Sequence, residues 1–586
     1  MVCVDRQHAH QATCIRGTEG HNIPPYHTIL SPITPSPKMR LDGLTLVALG
    51  AIQSTAAAAV ALASRNRDSG LQLRASSAPT GNCSSSTFSS LTLPGSSIFS
   101  ITAIPRTNAS LVSQPPGYPP IAFPPLDLCN VTIIYGHDGW NDTITVSVWM
   151  PLTEWNGRLV GAGGGALSTR NGDFSLIIEL LSGRAAYATD GGHVIDYDDA
   201  SSWALGADGK VNYHLLEDFA SVSLNDATIL SKAVTKAYYG PKPFRTYWNG
   251  CSTGGRQGLM LAQKYPTAVD GVLAGAPVIN FLNVILQLYW PTIVMHDLKT
   301  IPPPCVLDAI TNETIKACDS LDSVVDGIIA GPDQCKFNPQ SLVGEKVDCG
   351  SLGETTITQA QATVVQRIWQ GPRSSNGSFI WYGLEPGAPL NNSPISCVGS
   401  VDNCTVSTPT LASEIVKYLI YEDPKFDVSM VSQAQFESIA TIAQKYNDII
   451  GTSNPDLSKF KAAGGKLIVW HGLADPGIAT QGSEDYYQRV ERLDPNVQSF
   501  FRYFEAPGVN HCVANNPGVA STVSPLDAVI AWVENGTAPE TLPARSADGS
   551  VSRPLCPYPL VAAYLGGDKS QASSFACRAN FTVPGA

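Results

Sequence analysis

One stretch limits this chain more than any other: Trp248 to Gly258 reads WNGCSTGGRQG. It joins a strand-like run ending at Gly250 to an amphipathic helix-like run through Leu259-Met260-Leu261, with Ser252 framed as Gly250-x-Ser252-x-Gly254. A tight strand-to-helix turn of this kind holds a serine hydroxyl proud of the backbone. Glycines on either side let neighbouring backbone approach without meeting a Cβ. The turn needs a strand before it and a helix after it, so it predicts a layered α/β sheet.

The surrounding text agrees. TITVSVWMP, GRLVGAGGG, RAAYATDGG, FRTYWNG and DGVLAGAPV read as strands. NDATILSKAVTKAYYG reads as a helix with Ile229, Leu230, Ala233, Val234, Ala237 and Tyr238 on one apolar stripe, stopped by Gly240-Pro241. The alternation argues for parallel strands with helices between them. It lapses after Ala276 and resumes with GGKLIVWHGLAD, SFFRYFEAPGVNHC and PLDAVIAWVENG. The expected organisation is a catalytic α/β domain over residues 80–275 and 461–586, interrupted by an inserted lid over 276–460.

Composition narrows the setting. The formal net charge of −12 argues against nucleic acid or an anionic membrane as partner, since both call for a basic face. Residues 1–38 are polar and aperiodic and read as a non-native or misassigned leader, with translation starting at Met39. Residues 39–63 then have the layout of a signal peptide: Arg40, a nine-residue apolar run Leu44–Ile52, and small residues between Ala57 and Ala63. That run is too short to span a bilayer, and no later stretch reaches about 18 apolar residues, so no membrane is expected for the mature chain. Twelve of the 14 cysteines follow the leader, no CxxC pair is present, and ten Asn-x-Ser/Thr sequons are scattered along the chain. These features predict a secreted, disulfide-bonded glycoprotein.

A serine hydroxyl becomes a nucleophile only when a base takes its proton, and the base needs an acid to orient it. After a nucleophile elbow the chain order is serine, acid, histidine. Three histidines follow Ser252: His296 lies in the insertion, His471 closes the strand KLIVWHG, and His511 lies in the loop after the last strand. His511 is the expected base and Asp475 the expected acid. Glu484 and Asp485 are rivals, predicted to fall within a helix starting near Gln481. Ser252 and His511 each carry a cysteine neighbour, Cys251 and Cys512. A working serine–histidine pair sits about 3 Å apart, close enough for the neighbouring cysteines to bridge. A Cys251–Cys512 disulfide is therefore expected to hold the base loop against the elbow.

With GCSTGGRQGLMLAQKYP, GAGGGALS, ATDGGH, WHGLAD and GVNHC, the chain over roughly residues 80–580 resembles the fungal tannase and feruloyl esterase family, whose catalytic arrangement is Cys-Ser…Asp…His-Cys. The resemblance implies an α/β-hydrolase core with a large inserted lid, Ser252 as nucleophile, Asp475 as acid and His511 as base. It also implies a serine esterase acting on phenolic-acid esters. GCSTGGRQG looks more like the feruloyl esterase branch than the tannase branch, so feruloyl or hydroxycinnamoyl esters, including feruloylated polysaccharide, are favoured over galloyl esters. CDSLDSVVDGII on residue types alone reads as a solvated acidic turn. The resemblance turns it into a structural Ca²⁺ site formed by Asp319, Asp322 and Asp326, with Val324 and Ile328 binding through carbonyls; no organic cofactor is implied.

Other signals have a plainer meaning. Gly161-x-Gly163-x-x-Ala166 imitates a dinucleotide fingerprint, with Glu179 at a tolerable distance. It reads better as an oxyanion loop, in which an N–H among Gly163–Gly165, assigned to Gly164, works with the N–H of Thr253. Asp190 and His193 in ATDGGH read as a structural strand end. Aromatics of the insertion, among them Tyr289, Trp290, Trp369 and Trp381, are expected to be mostly core. A binding protein on a hydrolase scaffold and a secreted peptidase are the rival classes.

Overall fold

The apolar runs assemble into a nine-stranded sheet in the computed structural model, which describes residues 78–113, 120–193, 196–390, 394–514 and 518–581. The leader 1–38 and the signal segment 39–63 lie outside the described residues. In chain order the strands are β1 (Ser96–Ala109), β2 (Leu126–His137), β3 (Ile144–Pro151), β4 (Arg158–Ala162), β5 (Ala185–Thr189), β6 (Arg245–Cys251), β7 (Gly271–Gly275), β8 (Lys466–Gly472) and β9 (Phe501–Ala506). They lie side by side as β1-β2-β3-β5-β4-β6-β7-β8-β9.

The expectation of parallel pairing holds from β5 across to β9. It fails at the other end, where β1, β2, β3 and β5 pair antiparallel. Only a short turn separates β2 from β3, and a parallel neighbour would need a crossover of a dozen or more residues. The inner parallel strands β4, β5 and β7 are buried at every position, as sheets covered on both faces require. Strand β1 is largely exposed.

Helices cover both faces. On one face lie α3 (Val222–Tyr239), α4 (Thr253–Lys264) and α9 (Thr480–Leu493), packed on Val148, Tyr187, Trp248, Val272 and Val469. On the other lie α1 (Phe174–Leu181) and α10 (Pro525–Asn535), packed on Ala162, Ala186, Tyr247, Leu273 and Ile468. This mixed sheet between two helical layers is the α/β-hydrolase fold. Helix α3 is rotated from the predicted stripe: Leu224, Ala227, Leu230, Val234 and Tyr238 face the sheet, while Ile229 is 41% exposed. Ser231 and Thr235 are small enough to share the buried face, which shifts it away from Ile229.

Among the described residues between β7 and β8 no strand joins this sheet. That stretch holds the long helices α5 (Phe281–Asp297), α6 (Pro304–Cys318), α7 (Gln359–Gln370) and α8 (Gln433–Ala443), with two short antiparallel ladders. Its disulfides, Cys305–Cys349, Cys318–Cys335 and Cys397–Cys404, all close within it. Its buried side chains, Phe281, Tyr289, Trp290, Val364 and Phe436 among them, form one core with Trp203, Leu216 and Phe219 of α2 (Tyr213–Ala220) and the loop before it. The aromatics divide accordingly: Tyr289, Trp290 and Trp381 are buried, and Trp369, Tyr418 and Tyr421 pack against the core partly exposed.

Candidate active site

Ser252 sits between β6 and α4 with φ 62° and ψ −126°, a backbone conformation that costs a side-chain-bearing residue roughly 1–3 kcal/mol. Hydrogen bonds hold it there. Its N–H donates to the Gly275 carbonyl at 2.9 Å, and its carbonyl accepts from Arg256 N–H at 3.0 Å and Val278 N–H at 3.3 Å. The flanking glycines are steric necessities. A Cβ on Gly250 would lie 2.4 Å from the Gly254 carbonyl carbon, and one on Gly163 would lie 2.5 Å from Gly254 Cα. The elbow helix and the glycine loop after β4 touch backbone to backbone.

Asp475 follows β8 in a tight turn and has almost no exposed surface. Its Oδ1 accepts from the N–H groups of Gly477 at 2.8 Å and Ile478 at 2.9 Å. Its Oδ2 contacts His511 Nδ1 at 2.7 Å and His471 Nε2 at 3.1 Å. Burial alone would raise this carboxyl; His511 first, then the His471 hydrogen bond, outweigh it and hold the group well below the ordinary carboxylate range. Burial works against protonating His511, but the Asp475 charge and hydrogen bond overcome it, and the net direction is upward. His471 is fully buried and braced by Ser483 Oγ at 2.8 Å, so it supports the acid and cannot serve as the exposed base. Glu484 and Asp485 fall within α9, as expected.

The acid and base loops are stitched together: Ala474 N–H donates to the Val509 carbonyl at 3.0 Å, and Leu473 N–H to that of Ala506 at 3.0 Å. A Cβ on Gly472 would meet the Val509 carbonyl oxygen at 2.1 Å, so only glycine allows this approach. Cys251 and Cys512 are bridged, with Cα atoms 6.0 Å apart, which brings the segments of Ser252 and His511 together across 261 residues.

The glycine loop departs from expectation. The N–H of Gly164, the expected oxyanion donor, donates instead to Gln257 Oε1 at 2.9 Å. The neighbouring N–H groups are also engaged, Gly163 by the Asn249 carbonyl at 3.0 Å and Gly165 by that of Ser168 at 3.1 Å. The next residue, Ala166, has φ 46°, and its carbonyl accepts from Thr253 Oγ1 at 2.7 Å. Among the described residues the Ala166 N–H meets no acceptor, and the N–H of Thr253 is one of the orphan donors of a helix start. Gln257, fully buried, clamps the loop through Gly164 N–H and, at 3.2 Å, the Thr169 carbonyl. Sequence reasoning passed over it; the one signal was an amide on an otherwise apolar inward helix face.

The remaining candidates fall where their chemistry places them. Glu179, the acid a dinucleotide site would need, is buried in an ion pair with Arg184 at 2.9 Å. Asp190 accepts from Thr145 and Gly192 N–H groups, and His193 stacks on Trp203, as a structural strand end should. In the insertion Asp319 accepts from the N–H groups of Asp326, Gly327 and Ile328, and Asp322 from that of Val324. Asp326 also pairs with Arg553 at 2.9 Å. Burial first, then Asp326 and Asp319, push the Asp322 carboxyl up to about 6. These carboxylates are oxygen donors, the type a hard divalent cation takes.

Residues 129–578 match the family described as "Tannase and feruloyl esterase". A protein named "Probable feruloyl esterase" from Arthroderma benhamiae is 41% identical over 510 residues, covering 83% of this chain and 92% of that one. The solved tannin acyl hydrolase from Aspergillus niger superposes with a TM-score of 0.76 at 28% identity, over 85% of this chain and 95% of its own. Feruloyl esterase B from Aspergillus oryzae superposes with a TM-score of 0.69 at 26% identity, over 84% of this chain and 100% of its own.

Proposed function

The chain belongs to the tannase and feruloyl esterase family and is a carboxylic ester hydrolase, and on that premise we propose that it releases hydroxycinnamic acids such as ferulate from esters of plant cell-wall material. The 41% identity to a relative named as a feruloyl esterase carries this reading. Ser252 Oγ attacks the ester carbonyl and its proton passes to His511, whose imidazolium is stabilised by Asp475 at 2.7 Å. The N–H groups of Thr253 and Ala166 hold the oxyanion, in place of Gly164. Collapse expels the alcohol, protonated by His511, and leaves an acyl-enzyme. Water, deprotonated by His511, then frees the acid.

Asp319, Asp322 and Asp326, with the carbonyls of Val324 and Ile328, are assigned to Ca²⁺, which supplies positive charge to a crowded loop and takes no part in the chemistry. The six disulfides among the described residues and the sequons support a secreted glycoprotein. A second reading, hydrolysis of galloyl esters, draws on the higher TM-score with the tannin acyl hydrolase, 0.76 against 0.69.

Acid release from methyl ferulate and methyl gallate, by the enzyme and by Ser252→Ala, tests both. Ferulate release that disappears in the variant supports the first reading, and preferential gallate release overturns it in favour of the second. An intact Ser252→Ala rate would remove Ser252 from the mechanism.

A further inference from the structure

At the far end of the antiparallel arm, four side chains from four segments converge: His137 ends β2, Asp142 lies in the turn before β3, Asp218 is in α2 and Asp226 in α3. One ligand atom from each of His137, Asp142 and Asp218 lies within 4.8 Å of the others. We propose that these three residues bind a divalent transition cation of the Zn²⁺ or Mn²⁺ type, with Asp226 orienting the histidine from behind. Neither the esterase chemistry nor the calcium loop of the insertion involves them.

The decisive residue is Asp218. It has no exposed surface, and neither carboxylate oxygen has a hydrogen-bond donor within reach. A buried carboxylate left without donors is costly unless a cation or a proton neutralises it. Among the described residues no lysine or arginine pairs with Asp142, Asp218 or Asp226, so three carboxylates share one imidazole. Even a fully charged imidazolium leaves two negative charges uncompensated.

The ligand types select the ion. An imidazole with carboxylates suits borderline transition ions, whereas Ca²⁺ takes six to eight oxygens. His137 Nδ1 lies 2.5 Å from Asp142 Oδ2 and 3.8 Å from Asp218 Oδ1. Ligands about 2.0–2.2 Å from a shared ion stand roughly 3–3.5 Å apart, between those two spacings. Side-chain shifts of under about 1 Å would therefore complete the site.

The surroundings resemble the outer layer of a metal site. His137 Nε2 contacts Asp226 Oδ2 at 2.9 Å, and Asp226 accepts from Tyr135 OH at 3.2 Å. A carboxylate behind a ligating histidine fixes its tautomer and ring orientation. Without the ion, His137 bridges Asp142 and Asp226 through its two ring nitrogens. On binding, the proton held between Nδ1 and Asp142 leaves to solvent, the Nε2 proton stays on the ring and is donated to Asp226, and the Nδ1 lone pair goes to the metal.

Placement gives the site a purpose. Asp218 is followed directly by Phe219 and Ala220, whose carbonyls receive Arg256 of the elbow helix at 3.2 and 3.0 Å. A cation clamped there fixes the α2–α3 corner on which the helix behind Ser252 rests. The competing state is a proton shared between Asp218 and Asp142; burial and then Asp142 push Asp218 up to about 9 when no cation is present.

The test is a Co²⁺ titration of the untagged, full-length protein after dialysis against metal-free buffer. It is read by visible d–d absorption and by quenching of Trp140, whose ring lies 4.6 Å from that of His137. One equivalent should bind the wild type, raise its Tm by several degrees and displace at least one proton into weak buffer. Asp218→Asn and His137→Gln should lose all three responses while keeping Ca²⁺ binding. Absence of Co²⁺, Zn²⁺ and Mn²⁺ binding to the wild type, or binding unchanged in Asp218→Asn, would overturn the proposal in favour of the shared proton. The wild-type absorption and proton release decide the question alone if the variants fail to fold.

Discussion

Arg256 engages Phe219 twice, through a hydrogen bond to its carbonyl oxygen at 3.2 Å and through the face of its ring, 5.2 Å from the guanidinium carbon. The arginine is fully buried and pairs with no carboxylate among the described residues. Burial works against its charge, and the partial negative charge of the C-terminal carbonyls of α2 offsets that. Arg256→Met, similar in volume but unable to donate, should cost about 3 kcal/mol or more through the stranded carbonyls. Urea unfolding measures it. A loss below about 1 kcal/mol would mean the guanidinium contributes little.

The contact between the glycine loop and the elbow sets a second expectation. In Gly163→Ala the new methyl would lie 2.5 Å from Gly254 Cα, where neither backbone can yield cheaply. Activity should fall at least 100-fold, since a 1 Å displacement of a site costs roughly that much. Stability should drop by about 1–3 kcal/mol. Near-normal turnover would show that the loop can move without consequence.

His511 sets the pH dependence. Its raised pKa means the acid limb of kcat/KM should have its midpoint above the ordinary histidine value of 6.5, because the base works only when neutral. Asp475→Asn removes the charge that raises it, so the ring's midpoint, followed by NMR, should move down. For stability the two partners act oppositely. The His511 contribution is present below 6.5 and is lost as pH rises through its raised folded value. The depressed Asp475 contributes above its unfolded value of 3.8 and is lost as pH falls toward its folded one.

Thr253→Val keeps the shape of the side chain and removes the hydroxyl that holds the Ala166 carbonyl at 2.7 Å. If Ala166 donates to the oxyanion, kcat should fall roughly 10- to 100-fold with KM little changed, somewhat less than deleting a donor outright. A rise in KM alone would indicate a role in substrate binding.

The elbow was legible because a glycine-framed serine between a strand and a helix has few structural meanings, and the paired cysteine neighbours of Ser252 and His511 pointed to one another. Antiparallel β1 to β3 were not, because alternation and burial look alike in a half-covered strand whichever way its neighbour runs. The failure at Gly164 has a specific cause. Which loop N–H is engaged depends on the amide of Gln257, 93 residues away in sequence, and no local pattern encodes that. The His137–Asp226 cluster was hidden for the same reason, its members being drawn from four elements. The insertion resisted reading because its segments rely on a shared core and internal disulfides more than on periodicity.

The Cys251–Cys512 bridge also imposes an order on biosynthesis. Cys251 leaves the ribosome 261 residues before its partner, roughly 13–50 s at ordinary synthesis rates. During that interval six further cysteines emerge, and all six pair among themselves inside the insertion. The thiol beside the nucleophile must therefore pass over every nearer partner, which self-contained pairing within the insertion allows. The reactive centre is sealed covalently only after the whole insertion has been made, so a chain stopped short of Cys512 carries Ser252 without the means to fasten its base.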